Sequence, residues 1–289
     1  MKQQDWLYEI KPKGKLFDLN LREIWRYRDL LVLFVKRDIV TVYKQTILGP
    51  LWFVIQPLFT SVIFTLVFNG FGSIDTPGDV NPFLFNLAGI TIWNYFKECL
   101  TGTSDTFVKN QSLFGKVYFP RIIMPMSVTV SNLLKLGIQL FIFILFYLIF
   151  YFKGQAGIPN IYLLLSPLYV LIMAMMGLGL GMIISSMTTK YRDLTVLVGF
   201  GVQLLMYVSA VPYALSEIIK SESDWVQSAL PFVIFNPLSQ VIEGFRFMTL
   251  GSGAFSWGFL AYTFTISLLL FLIGTLIFNK TEKTFIDTV

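Results

Sequence analysis

From Ile47 onward the chain is built of long apolar blocks separated by short polar breaks, and no sustained period-2 alternation appears. Blocks fall at about 47–68, 83–104, 122–151, 161–184, 194–211 and 256–278. About 20 helical residues cross a hydrocarbon layer roughly 30 Å thick, so each block predicts one transmembrane helix. Ahead of them, LREIWRYRDLLVLFVKRDI (21–39) sets Leu21, Trp25, Leu31, Val35 and Ile39 among Arg22, Arg26, Arg28, Lys36 and Arg37. That mixture predicts one or two amphipathic helices lying in the membrane interface, rings and aliphatics in lipid and cations at the headgroups. The fold class expected is an all-α polytopic membrane protein with six transmembrane helices. Residues 1–46 form a cytoplasmic tail and interface helix, and 47–289 a six-span domain.

Departures from this pattern carry the detail. The first block holds Pro50, Gln56 and Pro57, and the second turns polar past Trp93, through Asn94, Lys97, Glu98, Thr101 and Ser104. A helix of that composition cannot face lipid all round, so its last turns must meet protein, water or headgroups. In the third block Asn132, Lys135 and Gln139 stand at i, i+3 and i+7 and share one side of a helix. A lysine at that depth either snorkels or faces a polar interior. Gly177, Gly179 and Gly181 in the fourth block remove bulk and permit close helix approach. Between 212 and 250 the chain is too charged for two full spans and too apolar for an ordinary loop, which predicts two short re-entrant helices at the outer leaflet.

Charge fixes the orientation. Only 13% of residues are charged and 55% are hydrophobic, where a soluble chain carries about a quarter charged. Ten of the 22 basic residues precede Ile47. With 1–46, 105–121, 185–193 and 279–289 inside, 17 of the 22 lie on the cytoplasmic face, against Lys153, Lys220 and Arg246 outside, with Lys97 and Lys135 within helices. Both termini are therefore expected in the cytoplasm. The net charge of +5 reads as a topology signal rather than a nucleic-acid surface. No signal-peptide pattern precedes the first block, so the amino end is expected to stay in the mature chain.

A single cysteine, Cys99, precludes an intrachain disulfide, and the absence of histidine removes the commonest metal ligand. The sequence contains neither GxxxxGK[ST] nor a strand-borne GxGxxG, so an energy-consuming activity needs an external ATPase. Neighbours Lys97/Glu98 and Arg192/Asp193 point different ways on a helix and are not automatic ion pairs. Aromatic residues make up 17% of the chain. Most serve packing and interface belts. Trp52, Phe53, Phe59, Tyr207, Tyr213 and Phe235 stand in segments otherwise marked by Pro, Gln or Asn, and their ring faces suit the C–H face of a sliding sugar.

RDIVTVYKQTILGPLWFVIQP (37–57), GKVYFPRIIMPMS (115–127), KYRDL (190–194), YVSAVPY (207–213), FNPLSQVIEGFR (235–246) and FNKTEKTFIDTV (278–289) together resemble the permease subunit of the type-2 ATP-binding-cassette exporters of bacterial polysaccharide and polyol phosphate. Arg37, Tyr43, Lys44, Gln45, Gly49, Pro50, Trp52 and Pro57 match that family's first-span signature. The resemblance implies a homodimer in the bacterial inner membrane, seated on two nucleotide-binding ATPase subunits that hold ATP and Mg, with no cofactor in this chain. It implies an undecaprenyl-pyrophosphate-linked glycan, O-antigen, as cargo. Arg37 and Lys44 would draw in the anionic anchor, and Arg26, Arg28, Lys109, Phe114 and Lys116 would contact the ATPase. Segment 105–121 becomes the inner coupling segment and 212–250 the extracellular gate. Two other readings stay open. A small-molecule or drug exporter of the same superfamily expects a compact apolar pocket, and a glycan polymerase or ligase expects Glu217, Glu222, Asp224 and Glu243 to converge on an outer cavity.

Overall fold

A computed structural model describes residues 21–44, 49–78, 80–114, 117, 119–191, 193–220 and 223–288, and every regular element among them is helical. Helices α1 (Leu21–Arg26) and α2 (Arg28–Lys44) form the amphipathic entry. The chain then turns at Gly49–Leu51, where Gly49 takes a φ of 47° that favours a residue without Cβ. Helix α3 (Trp52–Phe64) contains Pro57 and continues as a π-helical stretch, Thr65–Phe71. Next come α4 (Pro82–Thr103), the short α5 (Thr106–Lys109) and α6 (Gln111–Phe114), then α7 (Ile123–Phe152). A 3-10 turn, Ile161–Leu165, leads into α8 (Ser166–Thr188), followed by α9 (Leu194–Val208), α10 (Leu215–Ile219), α11 (Asp224–Ile234), α12 (Pro237–Leu250) and α13 (Trp257–Thr288).

Among the described residues four helical stretches are long and apolar enough to cross a membrane: Trp52–Phe71, Ile123–Phe152, Ile161–Thr188 and Trp257–Glu282. The chain is thus a multi-pass membrane protein. Two expected spans differ in kind. Helix α4 has 22 residues but is polar, because it is the core of the bundle: Leu84 to Trp93 is buried without a break among α3, α7, α8 and α12. Helix α9 is apolar but its 15 residues reach only about 22 Å. It stops at Val208 rather than 211 because 209–213 forms a turn. Helix α13 runs past 278 to Thr288, for nothing in NKTEK breaks a helix. Segment 212–250 holds three helices rather than two, and the third, α12, is buried along most of its length.

Local chemistry starts the two most buried helices in one way. Asn81 and Asn236 accept the backbone N–H two residues on, from Phe83 and Leu238, both at 3.0 Å, while Pro82 and Pro237 occupy the first helical position. The glycines of α8 act on two sides. A Cβ at Gly177 would stand 2.8 Å from Cys99 Cβ, and one at Gly181 2.6 Å from Thr103 Cβ, both on α4. Gly179 faces the other way, where a Cβ would lie 2.6 Å from the Leu270 carbonyl of α13. Helix α8 is therefore wedged between α4 and α13 at backbone contact, as the expected close approach requires.

The outer half is organised around one side chain. Arg246 of α12 is fully buried, and its Nη1 donates to Glu243 Oε1 (3.0 Å) and to the carbonyls of Ala210 (2.9 Å) and Tyr213 (3.1 Å). Its Nη2 donates to Val211 O (2.5 Å) and its Nε to Phe85 O (3.3 Å), with the guanidinium 3.8 Å from the Phe85 ring centroid. Five donations tie α4, the turn after α9 and α12 into one unit. Ala210 holds a left-handed φ of 51° in that turn, a costly conformation that its grip by Arg246 sustains. Gly89 makes room, since a Cβ there would sit 2.5 Å from Nη2. Asn236 and Ser239 of α12 close the end of α9 by donating to Val208 O.

Replacing Arg246 by Met strands Glu243 and several buried carbonyls, so stability in detergent should fall by about 3–5 kcal/mol. Denaturant unfolding of the Arg246→Met variant checks this. A loss below about 1 kcal/mol, the scale of an exposed pair, contradicts the clamp.

Candidate functional site

A cavity of about 250 Å³ opens where α2, α3, α4, α5 and α7 converge, and it collects polar groups from α2, α4, α5 and α7 and the ring of Phe53 from α3. Three cations line it: Arg37 from α2, Lys109 from α5 and Lys135 from α7. Each is held by a carboxylate. Arg37 donates to Asp38 Oδ1 through Nε (2.9 Å) and Nη2 (2.7 Å), and lies 4.9 Å over the Phe34 ring. Lys109 meets Asp105 at 2.8 Å, four residues back. Lys135 meets Glu98 of α4 at 2.8 Å and stands 5.3 Å from the Phe53 ring centroid. The expected polar stripe of α7 is real: Asn132 and Gln139 are buried against the bundle, and Lys135 faces this interior rather than lipid.

Asn110, Ser131 and Asn132 complete the wall, and Asp38 Oδ2 is buried without a partner among the described residues. Against Arg37, Lys109 and Lys135 the lining sets only Asp38 and Glu98. An incoming anion can therefore exchange one charge-assisted hydrogen bond for another without stripping a cation bare. The position suits that exchange. Lys135 lies 12 residues into α7, about 18 Å from its start, on a helix of about 45 Å.

The predicted aromatic path separates into two places. Trp52 and Phe59 share an exposed face of α3, at 51% and 65% exposure, while Phe53 turns into the cavity beside Lys135. Tyr207 of α9 is exposed and packs 6.4 Å from Phe64 of α3. Tyr213 donates its hydroxyl to Tyr207 O at 2.6 Å. Burial pushes the Tyr213 phenol above its ordinary pKa, against the opposing pull of a hydrogen bond at Ala210 and the charge of Arg246, so it remains a donor. Phe235 is exposed at the end of α11, its carbonyl accepting from Tyr262.

Of the residues expected to meet an ATPase, Arg26, Arg28 and Lys109 are exposed. Phe114 is not: its ring is enclosed between Phe107 and Phe119, so it supports the segment from within rather than offering a surface. Lys116, the side chain of Lys44 and residues 1–20 lie outside the described residues, as do Asp79, Arg192 and Glu222. Among the described residues Glu217, Asp224 and Glu243 do not gather. Glu243 is committed to Arg246, Glu217 pairs with Lys220 at 2.6 Å, and Asp224 is exposed. Sequence reasoning missed the Glu243–Arg246 pair as a structural centre, although opposite charges one turn apart in the otherwise uncharged FNPLSQVIEGFR were its signal.

The bundle and its charged inner mouth agree with the chain's relationships. A family profile described as ABC-2 type transporter matches residues 29–250, and the chain belongs to that family of transporter membrane components. It is similar to the O-antigen export system permease protein RfbA of Klebsiella pneumoniae, 26% identical over 259 residues that cover 90% of this chain and 94% of the relative. A protein of the same description from Myxococcus xanthus is 27% identical over 226 residues, 78% of this chain and 82% of the relative.

With Asn110→Cys in a Cys99→Ala background, a small maleimide should react readily, and inorganic pyrophosphate should slow that reaction. Native Cys99, fully buried, should stay unlabelled until the protein unfolds. Labelling indifferent to pyrophosphate contradicts an anion-accepting cavity.

Proposed function

We propose that this chain is the membrane subunit of an ATP-driven exporter that moves undecaprenyl-pyrophosphate-linked polysaccharide, O-antigen, from the cytoplasmic side across the bacterial inner membrane. The observation that carries the reading is the inner cavity: a charged chamber whose three cations are held by exchangeable carboxylates fits an anionic anchor, whereas a drug exporter asks for a compact apolar pocket. Similarity to two O-antigen export permeases over most of the chain supports the same cargo. Six passes, α3, α4, α7, α8, α9 and α13, with both ends in the cytoplasm accord with the distribution of basic residues. The short α9 and the exposed apolar faces of α3 and α9 suit the seam of a homodimer better than an open bilayer.

In this reading two partner ATPase subunits bind ATP and Mg and act on the exposed cations Arg26, Arg28 and Lys109. Arg37 and Lys44 draw the pyrophosphate into the inner mouth, where it displaces the carboxylate from Lys135. The glycan follows along the exposed rings Trp52, Phe59, Tyr207 and Phe235. Rings hold sugars by face contact without fixed charge, so successive weak contacts replace each other and no station traps the chain. Glu243 is sealed by Arg246 and Glu217 is paired with Lys220, so neither converges with Asp224 on an outer cavity of the kind polymerase or ligase chemistry asks for.

Alanine at both Trp52 and Tyr207 removes two ring contacts of about 1–3 kcal/mol each, so glycan export should drop roughly tenfold or more in proteoliposomes containing the partner ATPase. Assembly and ATP hydrolysis should persist. Unchanged glycan export removes these rings from the path, and export of small apolar dyes in place of glycan overturns the cargo.

A further inference from the structure

Beneath the bundle, the inner segment is built into the last helix and the entry helix at once. Five phenylalanines make an unbroken chain of ring contacts: Phe34 of α2 with Phe119 (5.7 Å), Phe119 with Phe114 (5.8 Å), Phe114 with Phe107 (6.0 Å), and Phe107 stacked on Phe278 of α13 at 4.4 Å and 27°. All five are buried, Phe107 and Phe278 completely. The segment's start is pinned to α8, where Phe107 N–H donates to Ser185 Oγ (3.4 Å) and Thr188 donates to Ser104 O (3.1 Å).

Its far end is gripped by Arg121. This side chain, 4% exposed, donates from Nη1 to the backbone carbonyl of Glu282 at 3.1 Å and lays its guanidinium 5.0 Å from the Phe114 ring centroid. Helix α13 is about 48 Å long, more than the hydrocarbon layer needs, so its end projects to where Arg121 holds it. At its other end α13 packs on α12, the helix that carries Arg246.

We propose that α13 is a connecting rod between the inner segment 105–121 and the outer clamp on α12, and that Arg121 is the positioning residue that gears the segment to it. This rests on the reading above that an ATPase drives the chain from its cytoplasmic face. A push on the segment reaches α13 through the Phe107–Phe278 stack and the Arg121–Glu282 bond, and α12 moves the 209–213 turn because Arg246 binds both. Packed rings transmit displacement because an interior at crystal-like density has no slack to absorb it. The arginine supplies what stacking lacks, a directional bond that also resists sliding along the ring faces.

The test uses the full chain with its partner ATPase in proteoliposomes, carrying Arg121→Gln, Arg121→Lys or Phe278→Leu. Arg121→Gln should raise hydrogen exchange of the backbone around Glu282 in the chain alone. In the complex it should lower glycan exported per ATP hydrolysed by about 5-fold or more, the lower end of ordinary site-to-site coupling, with the KM for ATP unchanged. Phe278→Leu should act in the same direction, and Arg121→Lys should restore part of the coupling. Lost protection with normal export per ATP overturns the rod, as does a parallel fall of hydrolysis and export that marks a merely structural defect. If the wild-type complex moves no glycan, the functional reading fails, and the exchange arm still decides the clamp: protection unchanged in Arg121→Gln overturns it.

Discussion

A guanidinium sunk in an apolar interior has to be met along its whole donor edge, and Arg246 meets that demand by drawing four backbone carbonyls and one carboxylate onto itself. Leaving a buried charge unpaired costs several kcal/mol, so the elements that supply those acceptors are not free to drift apart. Helix α4, the turn after α9 and α12 are thereby fixed to one another, and the polar character of α4 and α12 follows. Both are interior helices of a membrane bundle, where polar groups are affordable because protein rather than lipid surrounds them.

That arrangement divides segment 209–250 into a buried part and an exposed part. Helix α12 and residues 209–213 belong to the core, whereas α10 and α11 lie on it with Trp225 and Phe232 exposed. At the end of the bundle that carries α2 the same contrast recurs: the phenylalanine chain is buried, while Arg26, Arg28 and Lys109 stand out. Between the two sides lies α8, wedged by its glycines against α4 and α13, which holds the long helices as parallel members of one frame.

Much of this was legible in the chain. Block lengths gave α7 and α8 closely and the start of α13, and the Arg-rich amphipathic stretch gave α1 and α2. Lys135 was expected to snorkel or to face a polar interior, and the structure selects the second; its partner was not evident, because Glu98 lies 37 residues away and only folding brings α4 to α7. The 212–250 segment was read as a pair of shallow helices because its charges look solvated one by one. Glu243 and Arg246 neutralise each other one turn apart, which turns that stretch into a core helix. Phe114 was misjudged for the complementary reason: an apolar residue in a basic connection resembles a partner contact until its neighbours Phe107 and Phe119 enclose it.

Hydrogen exchange on the purified protein in lipid nanodiscs tests the central clamp most directly. Amides of 237–250 in α12 should exchange as slowly as those of 84–93 in α4, while 224–234 in α11 exchanges faster. Exchange in α12 as rapid as in α11 would contradict the account, since it would place the Arg246 helix with the exposed part and leave the outer half without its frame.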